Sequence, residues 1–190
     1  MPSNPKFSPN EKVVFSGGRW DVYQWPQTLF DGKAAVFEGA VRLDSAFVIA
    51  SCGGKILYSI QEQAGRAGAF YGAFGGVVDR GEDPLAAAKR ELLEESGYES
   101  DDWRLLSAAP ATDTGQIRWT TYVYLAKNCR KSAEQNLDPG EKIEVMSASP
   151  EEFIRLVGTD EWREKGLAKL FYSMAPDTEK EAAFLSALRQ

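Results

Sequence analysis

Three carboxylates, those of Glu91, Glu94 and Glu95, stand three and four residues apart in the stretch ELLEESGY. On a helix they crowd one face, and like charges at this spacing destabilise an isolated helix by about 0.2–0.5 kcal/mol per pair. A cation on that face reverses the sign. Oxygen donors with no nitrogen or sulfur beside them suit a hard divalent ion, Mg2+ or its substitute Mn2+. The 190-residue chain contains no histidine, which excludes Ser-His and Cys-His nucleophiles and any histidine general base. Its two cysteines, Cys52 and Cys129, imply neither a disulfide framework nor a zinc site. Chemistry is left to carboxylates, lysines, tyrosines or a metal held by oxygen.

The element that must carry these glutamates is well punctuated. Asp83 sits where an N-cap belongs, Pro84 suits the first turn and Gly97 the C-terminal end, so a helix is expected over 84–96. Leu85, Ala88, Leu92 and either Ser96 or Leu93 supply its buried side. Upstream, AFVIA (46–50) and KILYSI (55–60) flank a glycine turn and read as a hairpin. A glycine-rich loop, AGRAGAFYGAFGG, then leads into the helix. Strands are expected at 103–109, 120–127 and 142–148. Helices are expected over 150–157 with Ser149 as cap, over 162–172, and over 178–189 with Thr178 as cap.

Residues 1–10, rich in proline and asparagine, read as a flexible arm. Short strands at 13–15, 19–25 and 33–41 read as a small antiparallel β subdomain over 11–42, followed by the main domain over 43–190. Strands and helices then alternate without strict βαβ order, which predicts a mixed sheet between helices. A net charge of −6 argues against nucleic-acid binding, which needs clustered Lys and Arg. The absence of a signal-like or membrane-spanning apolar run makes a cytoplasmic protein the expectation.

Gly76, Glu82, Arg90-Glu91-Leu92, Glu94-Glu95, Gly97 and Tyr98 together resemble the signature of the Nudix hydrolase family at every fixed position. The resemblance implies an α/β (α+β) fold, an α/β/α sandwich with a mixed sheet. It also implies hydrolysis of a pyrophosphate with Mg2+ as cofactor. By the family's pattern Glu91 and Glu95 bind metal most directly, with Glu94 and a backbone carbonyl near Gly75 joining them. Arg90 pairs with a glutamate and fixes its rotamer, and Glu82 orients that pair or reaches metal through water.

Beyond the signature, the layout is similar to the ADP-ribose pyrophosphatase branch. That similarity implies a further carboxylate from the loop LDPGEKIEV as general base, with Glu141 the best match and Glu144 and Asp138 in reserve. It places substrate binding around Gly76, Gln61, Arg66 and Phe74. Phe70, Tyr71, Trp119, Trp20 and Trp25 are further rings on which a base could stack. The branch usually carries Glu-Leu-Pro-Ala-Gly before the signature, where this chain has Gly72-Ala73-Phe74-Gly75-Gly76. Gln63 stands where an arginine is common. The substrate class implied is therefore a nucleoside diphosphate sugar, acted on by a homodimer whose N-terminal strands help build the pocket. A nucleoside triphosphate pyrophosphatase of the sanitising type and a non-catalytic nucleotide-binding module are the alternatives.

Overall fold

The computed structural model describes residues 7–110, 115–174 and Ser186. Three strands come first: β1 (Lys12–Ser16), β2 (Trp20–Thr28) and β3 (Ala34–Arg42). β4 (Ser45–Cys52), β5 (Lys55–Gln63), β6 (Phe70–Gly72) and β7 (Phe74–Val77) lead into α1 (Pro84–Ser96). After it come β8 (Tyr98–Glu99), β9 (Asp102–Pro110), β10 (Ile117–Arg118), β11 (Thr120–Lys127), β12 (Arg130–Lys131) and β13 (Glu141–Ala148). Two helices, α2 (Pro150–Val157) and α3 (Lys165–Met174), follow.

The larger sheet has the order β13-β5-β4-β11-β9, with β6 paired to β5 and β7 to β4. It is mixed, since β11 runs parallel to β4 while the other pairs are antiparallel. β4 is apolar on both faces because it lies centrally. Ala46, Val48 and Ala50 pack toward Ala87, Ala88 and Leu92 of α1. Ile49, with Ile56 and Tyr58 of β5, packs toward Phe153 and Val157 of α2 and Leu167 of α3. Two cores, one on each face of one sheet, give the α/β/α sandwich. The expected β4–β5 hairpin is present, and its two turn residues Gly53 and Gly54 have φ of 57° and 76°. Positive φ at both central residues is what a type I′ turn demands, and glycine adopts it without a Cβ penalty.

The smaller sheet has the order β1-β2-β3-β10. Its fourth strand is borrowed from 117–118 and runs parallel to β3. Arg80, in the turn after β7, ties this sheet to the main one through a fork of two 3.0 Å hydrogen bonds to Asp21. Phe7 stacks on Trp25 with ring centroids 5.1 Å apart, so the end of the proline-rich arm lies on this sheet. The helix expected from residue 162 begins instead at Lys165, because 161–163 pair with Tyr71 and leave the helical path. The helix expected over 178–189 lies, apart from Ser186, outside the described residues.

Candidate active site

α1 forms as its punctuation dictates. The Asp83 carboxylate accepts from the Leu85 and Ala86 amides at 3.0 and 3.2 Å, and Gly97 closes the helix at φ 72°. Its C-terminal carbonyls, which no intrahelical donor can reach, are met by β12 and the chain after it. Lys131 Nζ donates to Ser96 O, Gln135 Nε2 to Glu95 O and the Asn136 amide to Glu94 O. The last turn, which carries the glutamates, is therefore fixed from both ends.

Arg90 gathers three carboxylates. Its Nε and Nη2 donate to the two oxygens of Glu82 at 3.1 Å each, and its Nη1 reaches Glu91 at 2.8 Å and Glu94 at 3.2 Å. Nη2 also donates to the Val77 carbonyl of β7. The Arg90 guanidinium holds the Glu82 carboxyl below the ordinary glutamate range, helped by the Asp79 amide. Glu91 and Glu95 behave oppositely. Burial pushes the Glu91 carboxyl up against the pull of Arg90, and burial pushes Glu95 well above the ordinary glutamate range, with the charges of Glu91 and Glu141 adding.

Both of these carboxylates lie against β7. Glu95 Oε2 accepts from the Gly75 amide at 2.7 Å. A Cβ placed on Gly76 would meet Glu91 Oε1 at 2.5 Å, so only glycine leaves room for that carboxylate. Gly75, at φ 142°, is needed for a different reason: a side chain there would strike the Ala46 carbonyl. Among the described residues no three acidic side chains converge closely enough to enclose a metal as they stand, because Arg90 draws Glu82, Glu91 and Glu94 to itself. The donor set nonetheless fits a hard divalent ion. It is all oxygen, its two innermost members are desolvated without full compensation, and Gly76 leaves a cradle beside them.

The loop carboxylate Glu141 opens β13 directly opposite Gln63, whose Nε2 donates to Glu141 Oε1 at 3.4 Å. Strand alternation puts Glu141, Ile143 and Val145 on the α1 side. Glu144 therefore lies on the opposite face, and Asp138 is exposed in the preceding turn, where its carbonyl accepts from the Glu141 amide. Gln61 is 2% exposed. Its Nε2 donates to Ser59 Oγ at 2.8 Å, while its Oε1 has no partner among the described residues.

Phe74, expected as a stacking surface, is 0% exposed and packed in the α1-side core. It is not available to a base, because the β7 register turns Phe74 and Gly76 toward α1. Phe70 and Trp25 are buried as well. Arg66 is exposed, its guanidinium 4.3 Å from the Phe70 ring centroid.

Two residues of this region had no sequence signal. Arg163 Nη1 donates to Gln63 Oε1 at 3.1 Å, and Glu164 Oε2 accepts from the Ala73 amide at 3.1 Å. A Cβ on Gly72 would lie 3.4 Å from both Glu164 Oε2 and Gln61 Nε2. The space beside Gly72 is thus filled from the α2–α3 connection. Burial pushes the Glu164 carboxyl up to about 7.

The NUDIX domain family model matches residues 42–171, more than half of the chain. This chain belongs to the Nudix family. ADP-ribose pyrophosphatase of Bacillus subtilis (strain 168) is 31% identical over 174 residues, covering 90% of the Nudix chain and 92% of that relative. Methanol dehydrogenase activator of Bacillus methanolicus is 31% identical over 83 residues, 43% of this chain and 44% of that one. A solved structure titled an ADP compounds hydrolase superposes with a TM-score of 0.68 at 19% identity, over 86% of this chain and 89% of its own. That likeness is one of fold. The Nudix assignment makes the chain an enzyme of the pyrophosphohydrolase class, and its signature helix is α1.

Proposed function

We propose that the chain is a Mg2+-dependent hydrolase that cleaves the pyrophosphate of a nucleoside diphosphate sugar, ADP-ribose being the first candidate. The products are a nucleoside monophosphate and a sugar phosphate. The observation that carries the reading is the placement of Glu91 and Glu95 together against β7, where only Gly76 makes room for the first. The near-full-length similarity to an ADP-ribose pyrophosphatase supports the substrate class.

In this reading Glu91, Glu95, Glu94 and the Gly75 carbonyl hold the divalent ion, with Mn2+ able to replace Mg2+. When bound, the ion neutralises charge developing on phosphate oxygens and lowers the pKa of water. The chain's own residues do the rest. Glu141, held by Gln63 on the α1 side of the sheet, accepts the proton of the water that attacks phosphorus. Arg90 keeps Glu91 and Glu94 in register, and Glu82 fixes Arg90 from the other side. Gly76 admits the ligand carboxylate, and Gln61, whose Nε2 lies beside Gly72, keeps a buried carbonyl oxygen without a partner among the described residues. Arg66 contributes a cation at its rim.

The N-terminal strands are read as a separate subdomain through which two copies pair, since they expose Val13, Phe15 and Val36. The compartment is read as the cytoplasm. Among the described residues no helix is long and apolar enough to cross a membrane.

The test is hydrolysis with Mg2+ of ADP-ribose, ADP-glucose, UDP-glucose, GDP-mannose, NADH and deoxynucleoside triphosphates, with Glu95→Gln beside the native chain. Turnover of a diphosphate sugar, lowered about 100-fold or more in the variant, is the expected result. Preference for triphosphates overturns the substrate class, and wild-type turnover in Glu95→Gln overturns the metal helix.

A further inference from the structure

The connection between α2 and α3 is held as an added edge to β6. The Tyr71 amide donates to Glu161 O at 3.0 Å, the Arg163 amide donates to Tyr71 O at 2.9 Å, and Trp162 bridges Tyr71 in parallel. Trp162 itself is fully buried, edge-on to Phe153 with centroids 5.3 Å apart. An apolar anchor of this kind leaves its neighbour little freedom. It delivers the Arg163 guanidinium to Gln63 Oε1 and to a point 5.1 Å from the Phe70 ring centroid, while Arg66 approaches the same ring at 4.3 Å.

The two guanidiniums thus share one buried ring. A guanidinium resting on an aromatic ring uses its flat face and keeps its N–H edges for a ligand. Arg90, by contrast, spends its donors on Glu82, Glu91, Glu94 and Val77. Arg66 forms no ion pair among the described residues, and Arg163 approaches Glu164 no closer than 3.9 Å. Arg163 reaches the acidic site through a single side chain, since Gln63 binds Arg163 with its oxygen and Glu141 with its nitrogen.

We infer that Arg163 and Arg66, gathered at the Phe70 ring, form an anion-binding site that grips the diphosphate of the substrate beside Glu141. The α2–α3 connection is then a specificity element, and it supplies a guanidinium where the sequence has Gln63. Only the identity of the anion rests on the hydrolase reading. A site lined by Glu91, Glu94, Glu95 and Glu141 repels a diphosphate, and a planar, permanently charged fork is the group best matched to phosphate oxygens.

Calorimetric titration of ADP in the presence of Mg2+ tests this on the native chain and on Arg163→Ala, Arg66→Ala and Arg163→Lys. Arg130→Ala on β12, whose guanidinium is paired with Glu99 and Asp101, controls for net charge. KM and kcat are measured for whichever diphosphate sugar is turned over. Each alanine variant is expected to weaken ADP about 10- to 100-fold, the range for a hydrogen bond to a charged group. KM should rise by a similar factor, kcat should hold within about threefold, and Arg163→Lys should recover part of the loss.

ADP affinity unchanged in both alanine variants, an equal loss in Arg130→Ala, or no binding by the native chain overturns the site. The two readings separate cleanly. A chain that hydrolyses a diphosphate sugar yet ignores both substitutions defeats this inference alone. A chain that binds ADP through these arginines but hydrolyses nothing in the panel defeats the hydrolase reading alone.

Discussion

Glu164 shows how one buried carboxyl sets conditions on its surroundings. Its side chain is 7% exposed, and its nearest cation, Arg163, stands at 3.9 Å. Burial therefore dominates, and the carboxyl is pushed up to about 7 from the ordinary glutamate value of roughly 4.3. Between those two values the folded chain holds a proton that the unfolded chain releases, so stability falls as pH rises through that window. The shift is worth at most about 4 kcal/mol. Glu164→Gln keeps an acceptor for the Ala73 amide and removes the titration. In urea unfolding with a chelator present, the variant should gain on the native chain between pH 5 and pH 8. Parallel curves across that range would mean that Glu164 is already ionised in the folded protein.

At the scale of elements, α1 was legible because its determinants are local. Asp83, Pro84 and Gly97 fix its ends, and the 3.6-residue period fixes which face is buried, apart from Leu93, which is exposed. The β4–β5 hairpin and the capping box of α2, where Ser149 and Glu152 satisfy each other, were legible for the same reason. What sequence did not disclose depends on contacts across long stretches of chain. Phe74 sits in a glycine-rich segment whose register is set by pairing with β4, so its inward turn follows from Val48 rather than from its neighbours. Arg163 meets Gln63 from 100 residues away, and no periodicity encodes that meeting.

The two ends of α1 differ in the same sense, and the difference can be measured. Asp83→Ala removes a cap and should cost about 1 kcal/mol. Gly97→Ala should cost more, because the left-handed backbone is strained for alanine and the added methyl would strike the Ala133 carbonyl. Chemical denaturation would rank the two. Equal losses would mean that the 131–136 segment yields easily and does not clamp the helix.

For the whole molecule, the feature without an internal explanation is the apolar surface of the first sheet. Val13 and Phe15 of β1 are 55% and 57% exposed, and Val36 of β3, on the far side of β2, is 67% exposed; exposed apolar area of this kind is what an interaction surface offers a partner. A second copy of the chain is the covering partner proposed here, and it would bring the strands of one subunit toward the pocket of the other. A specific pair of this kind buries on the order of 1,200–2,000 Å2 in total, enough to keep the dimer associated at micromolar concentration. Phe15→Glu combined with Val36→Glu places two charges in each half of a self-complementary contact, so a dimer carries four. Sedimentation equilibrium should give a dimer for the native chain and a monomer for the double variant, with the thermal midpoint of the main domain little changed. If the pocket is shared, the monomeric variant should also lose affinity for the diphosphate sugar while α1 and its carboxylates stay intact. A native chain that sediments as a monomer throughout would assign the pocket to one subunit and leave the apolar strands to another partner.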